Sequence, residues 1–243
     1  MVYYLVAGFI GVSNMILWGL YGDLLVEKYS FAKVVRSIVF GIFWSGLLHF
    51  SHPDAPLLVI ALATIALERI TTEIYKACIR VESQAKYLIP SNPFPHVPIV
   101  IRRLAGILLL ISIAWAVSTV RLDAPLWVIT LVMGLSVALG GMLKDAPHEG
   151  FEPLKFFRSP VVAGICAGAL WVLYPTLNMT LFFLAIAGAE RIVSEFYKKI
   201  LHGRIPGKFR RVPINTHWQQ SRHLVLYAYA ADVVALAMLH FIR

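Results

Sequence analysis

The chain has 243 residues, 59% of them hydrophobic and only 14% charged, with a formal net charge of +9 and a mean hydropathy of +0.74. So small a charged share excludes an ordinary soluble domain, and its apolar runs of about 20 residues are what membrane spans need. Cys78 and Cys166 stand in unrelated contexts with neither CxxC nor metal-ligand spacing, so both are read as free thiols.

In chain order, residues 2–22 are apolar from the second position. They lack the basic flank and small-residue cleavage site of a secretory signal, so they are read as a retained first span. Further apolar segments follow at about 35–52, 55–76, 97–119, 124–143, 157–174, 177–198 and 221–242, each near the 20 residues that a ~30 Å hydrocarbon core requires. Turn-forming stretches at 51–56, 123–125 and 175–178, and Pro147, separate them. The expected fold class is all-α: a polytopic integral membrane protein of about eight transmembrane helices.

Basic residues set the expected orientation. With the N-terminus outside, the cytoplasmic stretches 23–36, 69–103, 144–158 and 191–222 hold 20 of the 22 Lys and Arg residues, leaving Arg121 and Arg243 elsewhere. The positive-inside bias therefore places both termini outside and the basic loops in the cytoplasm of a cytoplasmic-type membrane. The basic loop 203–211 is expected to lie against anionic lipid headgroups. Nucleic-acid binding is excluded, because neither aromatic interleaving nor a soluble module accompanies the positive charge.

Sliding the chain by 122 residues brings its polar positions into register. Asp23 falls on Asp145, Glu27 on Glu149, Lys33 on Lys155, Arg36 on Arg158 and Ser37 on Ser159. Glu68 and Arg69 fall on Glu190 and Arg191, Glu73 on Glu195, Tyr75 on Tyr197, Lys76 on Lys198 and Arg121 on Arg243. The expectation is two four-helix membrane units, 1–121 and 122–243, arising by gene duplication. Four is even, so both units enter from one side and form parallel repeats about a pseudo-twofold axis along the membrane normal.

Two signatures recur in each half: D-x3-E-x5-K-x2-R-S around the first cytoplasmic turn, and E-R-x3-E-x-Y-K on the third helix. Counted from Pro56, Glu68 lies roughly 18 Å along its helix, and ionisable groups at such depth are functional candidates by default. Glu68 and Tyr75, seven apart, share a helix face, while Arg69 and Glu73 pair at i,i+4. Glu68 then needs a partner from elsewhere, for which Arg36, Lys33 or a bound cation are the candidates. The candidate substrate- or ion-binding set is Asp23, Glu27, Lys33, Arg36, Glu68, Arg69, Glu73 and Tyr75. Its second half is Asp145, Glu149, Lys155, Arg158, Glu190, Arg191, Glu195 and Tyr197.

Several readings fit this set. A salt-bridge network that only locks helix ends is the bland one, although buried ion pairs stabilise poorly against apolar packing. A transporter or channel for a small ion or solute would use matched clusters about the axis. A membrane-embedded enzyme would hold a divalent cation with carboxylates and clamp a lipid phosphate with Arg36 or Arg158 and Lys33 or Lys155. His148, Glu152, Pro147 and Pro153, confined to the second half, would mark its one site. An accessory subunit of a larger membrane complex is the remaining reading. Among lesser features, Gly164-x3-Gly168 is expected to pack a helix closely. His49 and His52 are read as interfacial polar residues, His217 and His223 as loop residues, and 90–98 as a stiff Pro-rich connector. No phosphate-binding loop, dinucleotide fingerprint, HExxH or GxSxG is present.

Overall fold

A computed structural model describes residues 1–25, 29–81, 96–150, 153–201 and 216–242, with the side chains of 144–149, 155, 216, 217 and 221 outside the description. The elements in order are α1 (Val2–Asp23), α2 (Phe31–Ser51), α3 (Leu57–Ile74), α4 (Ile99–Thr119) and α5 (Leu126–Glu149). α6 (Pro153–Leu173), α7 (Met179–Phe196), the short α8 (Thr216–Ser221) and α9 (His223–Met238) complete them. α3 and α7 each run on into one π-helical turn, Tyr75–Ile79 and Tyr197–Leu201. Among the described residues there is no strand.

Among the described residues five helices are long and apolar enough to cross a membrane: α1, α2, α4, and the parts Leu126–Leu143 of α5 and Phe156–Leu173 of α6. They are compatible with a multi-pass membrane protein. Three others of the expected eight fall short for physical reasons. α3 and α7 each carry a Glu-Arg pair and a further Glu among 18 residues, and α9 has 16 residues.

Helix ends depart from expectation around the junction of α5 and α6. α5 continues through Pro147 to Glu149, and α6 begins at Pro153, a residue suited to a first helical turn because it has no N–H to leave unpaired. Lys144, Glu149 and Lys155, beyond the expected bounds 124–143 and 157–174, therefore belong to helices, and Asp145 and Arg158 fall near the helix end and start where they were expected. Gly150 separates the two with φ of 80°, a left-handed position that favours glycine and closes α5. His223 opens α9 and His217 falls within α8, so neither is the loop residue expected. At α7 the Asn178 side chain accepts hydrogen bonds from the backbone N–H of Thr180 (2.9 Å) and Leu181 (3.4 Å), a side-chain N-cap.

The core is built on α3 and α7. α3 is buried without interruption from Val59 to Glu68, so every face of that stretch meets protein. α1 packs against α3, α2 and α9, α5 against α6 and α7, and α4 lies at the periphery with 6% of its span buried. α3 and α7 run in the same direction: Gly188 lies against Leu62, and further along both helices Arg191 and Glu195 come close to Arg69. The Gly188 contact leaves no room for a side chain, because a Cβ would strike the Leu62 carbonyl oxygen. Gly11 meets the Ala61 carbonyl in the same manner, at 2.5 Å from an added Cβ. Gly164 and Gly168 do not act this way; an added Cβ on either meets nothing within 4 Å, so the expected close packing there is absent.

Gly188→Ala is expected to push α3 and α7 apart and cost about 1–3 kcal/mol, visible as a lowered thermal unfolding midpoint in detergent. Gly164→Ala, on an open face, should leave that midpoint unchanged.

Candidate functional site

At the C-terminal ends of α3 and α7 the charged residues form two corresponding groups. On α3, Arg69 Nη1 lies 2.7 Å from Glu73 Oε1, and Lys76 Nζ lies 3.1 Å from the same oxygen. On α7, Arg191 Nη1 is 2.6 Å from Glu195 Oε1, and Lys198 Nζ is 4.0 Å from it. The guanidinium of Arg36 stands over the Tyr75 ring at 4.9 Å, and that of Arg158 over Tyr197 at 5.7 Å, both in cation–π range. Arg36 and Arg158 are thus held by the tyrosine of their own half. Among the described residues the Nε of Arg36, Arg158 and Arg191 is buried without an acceptor.

Glu68 and Glu190 are treated differently from the paired carboxylates. They are 2% and 3% exposed, and among the described residues no Lys or Arg reaches either within 4.0 Å. Glu68 Oε1 accepts hydrogen bonds from Ser37 Oγ (2.7 Å) and Thr72 Oγ1 (2.8 Å). Glu190 Oε1 accepts one from Ser194 Oγ at 2.6 Å. Of the side chains expected to answer Glu68, neither Arg36 nor Lys33 reaches it among the described residues; two hydroxyls do, one from α2 and one from a turn further along α3. Asp23 and Lys33 are half-buried at the same end of the bundle. Glu27 lies outside the described residues, as do the side chains of Asp145, Glu149 and Lys155.

The two groups are unequal. Lys199, where the other half has Ala77, places Nζ 3.1 Å from Glu195 Oε2 and donates to the Trp18 carbonyl at 2.6 Å. α1 thereby closes over Glu195, whose side chain is 6% exposed against 32% for Glu73.

The opposite end carries a cavity of about 460 Å³ between the α2–α3 and α6–α7 connections, lined by residues 51–56, 173–178 and Leu181. The two linings are themselves 122 residues apart. Tyr4 Oη ties the first to α1, with its one proton facing the carbonyl oxygens of Pro53 (2.5 Å) and Ala55 (2.9 Å). His52 Nε2 pairs with the Val117 carbonyl at 3.2 Å, and Tyr174, at the corresponding place, pairs with His240 Nδ1 at 2.7 Å. Burial is the main cause holding the His52 imidazole below its usual range; the Val117 carbonyl opposes this and the Arg121 charge adds to it.

A third polar group lies between α1 and α9. Asp232, 9% exposed, meets Ser13 Oγ with one oxygen and accepts from Asn14 Nδ2 (3.0 Å) with the other. Asn14 is fully buried, and its Oδ1 finds no donor among the described residues. Sequence reasoning passed over these residues. The available signal was a lone acid within the apolar run 221–242, which the 122-residue register does not duplicate.

Among the described residues no three His, Cys, Asp or Glu side chains gather as a metal site would need, so the divalent cation considered for the enzyme reading has no ligand set there. The class of protein supported by these features is a multi-pass membrane protein with buried charge. Comparison with protein-family models, curated proteins and solved structures finds no match for the chain.

Two expectations follow. Glu195→Gln leaves Arg191 and Lys199 without their counter-charge and should cost about 3 kcal/mol, whereas Glu73→Gln, at an exposed pair, should cost less than about 1 kcal/mol; denaturant titration in detergent compares them. Because folding depresses the His52 pKa, its contribution is complete above the unfolded value of about 6.5 and is lost as pH falls through the folded one. The midpoint should drop as pH falls below about 6.5, and His52→Gln should flatten that drop.

Proposed function

We propose that the chain is a multi-pass membrane transporter for a small ion or solute, assembled from two parallel four-helix repeats, 1–121 and 122–243. Matching element bounds support the repeat: α2 and α6, α3 and α7, and the two π-helical turns start and end at positions 122 apart. The paired contacts Arg69–Glu73 with Arg191–Glu195, and Arg36–Tyr75 with Arg158–Tyr197, support it equally. In this arrangement the N-terminus is outside, the charged groups lie toward the cytoplasm and the cavity of residues 51–56 and 173–178 opens on the outer side. The bias of Lys and Arg toward one set of loops favours that orientation.

The observation that carries the transport reading is the pair Glu68 and Glu190. A network that served only to lock helices would match each buried carboxylate with a cation, as it does at Glu195 and, half-exposed, at Glu73. Two further carboxylates at corresponding depth, held among the described residues by hydroxyl groups alone, are suited to taking up and releasing a cation or proton. The outer cavity lies at the other end of the same two helices, and the tight Gly188–Leu62 contact separates the two regions in this conformation. The lipid-enzyme alternative rests on Asp145, Glu149 and Glu152, whose side chains lie outside the described residues.

Proteoliposomes containing the purified chain, assayed for proton and alkali-cation flux, test the reading. Glu68→Gln with Glu190→Gln should lower flux at least tenfold while leaving the folded fraction intact. Unchanged flux in the double variant would sink the proposed pathway.

A further inference from the structure

The seam between α1 and α9 holds an acid that neither charged group uses. Asp232 sits mid-way along α9, and among the described residues its oxygens meet only Ser13 Oγ and Asn14 Nδ2. Its surroundings belong to this seam alone: Leu135 and Ser136 stand 122 residues beyond Ser13 and Asn14, and Leu110 stands 122 before Asp232.

The hydrogens around Ser13 can be counted. Its hydroxyl has one proton, yet Oγ lies within hydrogen-bonding distance of two oxygens, the Ile10 carbonyl at 2.7 Å and Asp232 Oδ1. The carbonyl can only accept. One proton serves one contact: either Ser13 donates to Asp232 Oδ1, or it bonds back to Ile10, as a helical serine can, and accepts from a protonated Asp232. Only the second arrangement makes both contacts hydrogen bonds, and the lack of a counter-charge around the acid favours it. A carboxylic acid satisfies the chain Asp232 O–H to Ser13 O–H to Ile10 C=O, with the Asn14 amide donating to the second carboxyl oxygen.

The charges around the seam agree. α1 faces Asp232 with uncharged Ser13 and Asn14, and its own acid Asp23 lies at the far end of that helix. Tyr229 is the neighbouring titratable group on α9. Arg222 and His223 stand about 15 Å away along the α9 axis, and His240 about 12 Å in the other direction. α3, the remaining helix against α9, carries its charges at Glu68, Arg69 and Glu73. No cation among the described residues reaches Asp232 within 4.0 Å. An ionised carboxylate would be buried without a counter-charge, which is the costly state.

We propose that Asp232 is a proton-binding site within the membrane: it holds a proton while α9 is seated on α1 and gives it up when the seam opens to water. The bound species is a proton, and the conformational partner of its release is the separation of two helices. This site is independent of the transport reading, since proton occupancy can be present whether or not Glu68 and Glu190 form a pathway.

Infrared spectroscopy of the full chain in lipid reads the site directly. The wild type should show a protonated-carboxyl C=O band at neutral pH that persists at alkaline pH. In the Glu68→Gln, Glu190→Gln background, which removes the other two buried carboxyls without a cation, that band should remain with Asp232 and vanish when Asp232→Asn is added. Its presence in the folded triple variant, or its absence from the double variant, overturns the proposal. Ser13→Ala keeps the acid and removes its acceptor, so the same band should shift to higher frequency; an unmoved band also overturns it. If the carboxylate instead holds an alkali cation, no such band appears and sodium, unlike choline, raises the wild-type unfolding midpoint, which again overturns it.

Discussion

Everything else in the bundle is arranged around the contact between α3 and α7, where Gly188 brings one backbone against the Leu62 carbonyl of the other. Apolar side chains gain little from each other in hydrocarbon, so close backbone approach and dispersion must hold such helices together. That approach fixes the relative height of the two helices, and with it the levels of Glu68, Arg69, Glu190 and Arg191. The remaining helices surround this pair, and α1 is the most committed of them, touching α2, α3 and α9.

Buried charge is handled in three ways within this one framework. Glu73 and Glu195 meet guanidinium and ammonium groups on their own helix, one turn away. Glu68 and Glu190 meet hydroxyls, which orient a carboxylate without neutralising it. Asp232 meets an amide and a hydroxyl across a helix seam. Only the first arrangement settles the charge locally, with a cation of the same helix.

Much of this was legible in the amino acids. The apolar runs located the helices, and the i,i+4 spacing of Arg69 with Glu73 and Arg191 with Glu195 foretold the bonds that form. The ends of α5 and α6 were misplaced because Pro147 reads as a breaker, although a proline near a helix terminus removes few bonds. Gly164 and Gly168 misled because the spacing of small residues does not say which face of a helix they share with a neighbour. Asp232 and Asn14 escaped a search built on duplicated charge, since their significance lies in the pairing of the first helix with the last. No local pattern records that pairing.

The uneven distribution of burial has a consequence for biogenesis. α4 contacts little of the bundle and carries charge only at its start, so it can partition into a bilayer on its own. α3 cannot: Glu68, Arg69 and Glu73 would each oppose transfer into lipid by roughly 2–3 kcal/mol near the helix centre, less toward its end. Its charges become tolerable once Ser37, Thr72 and neighbouring helices enclose them, and α7, which packs along α3 at Gly188, is made more than a hundred residues later. The first half of the chain therefore lacks part of the surface that buries α3 until synthesis of the second half delivers α7.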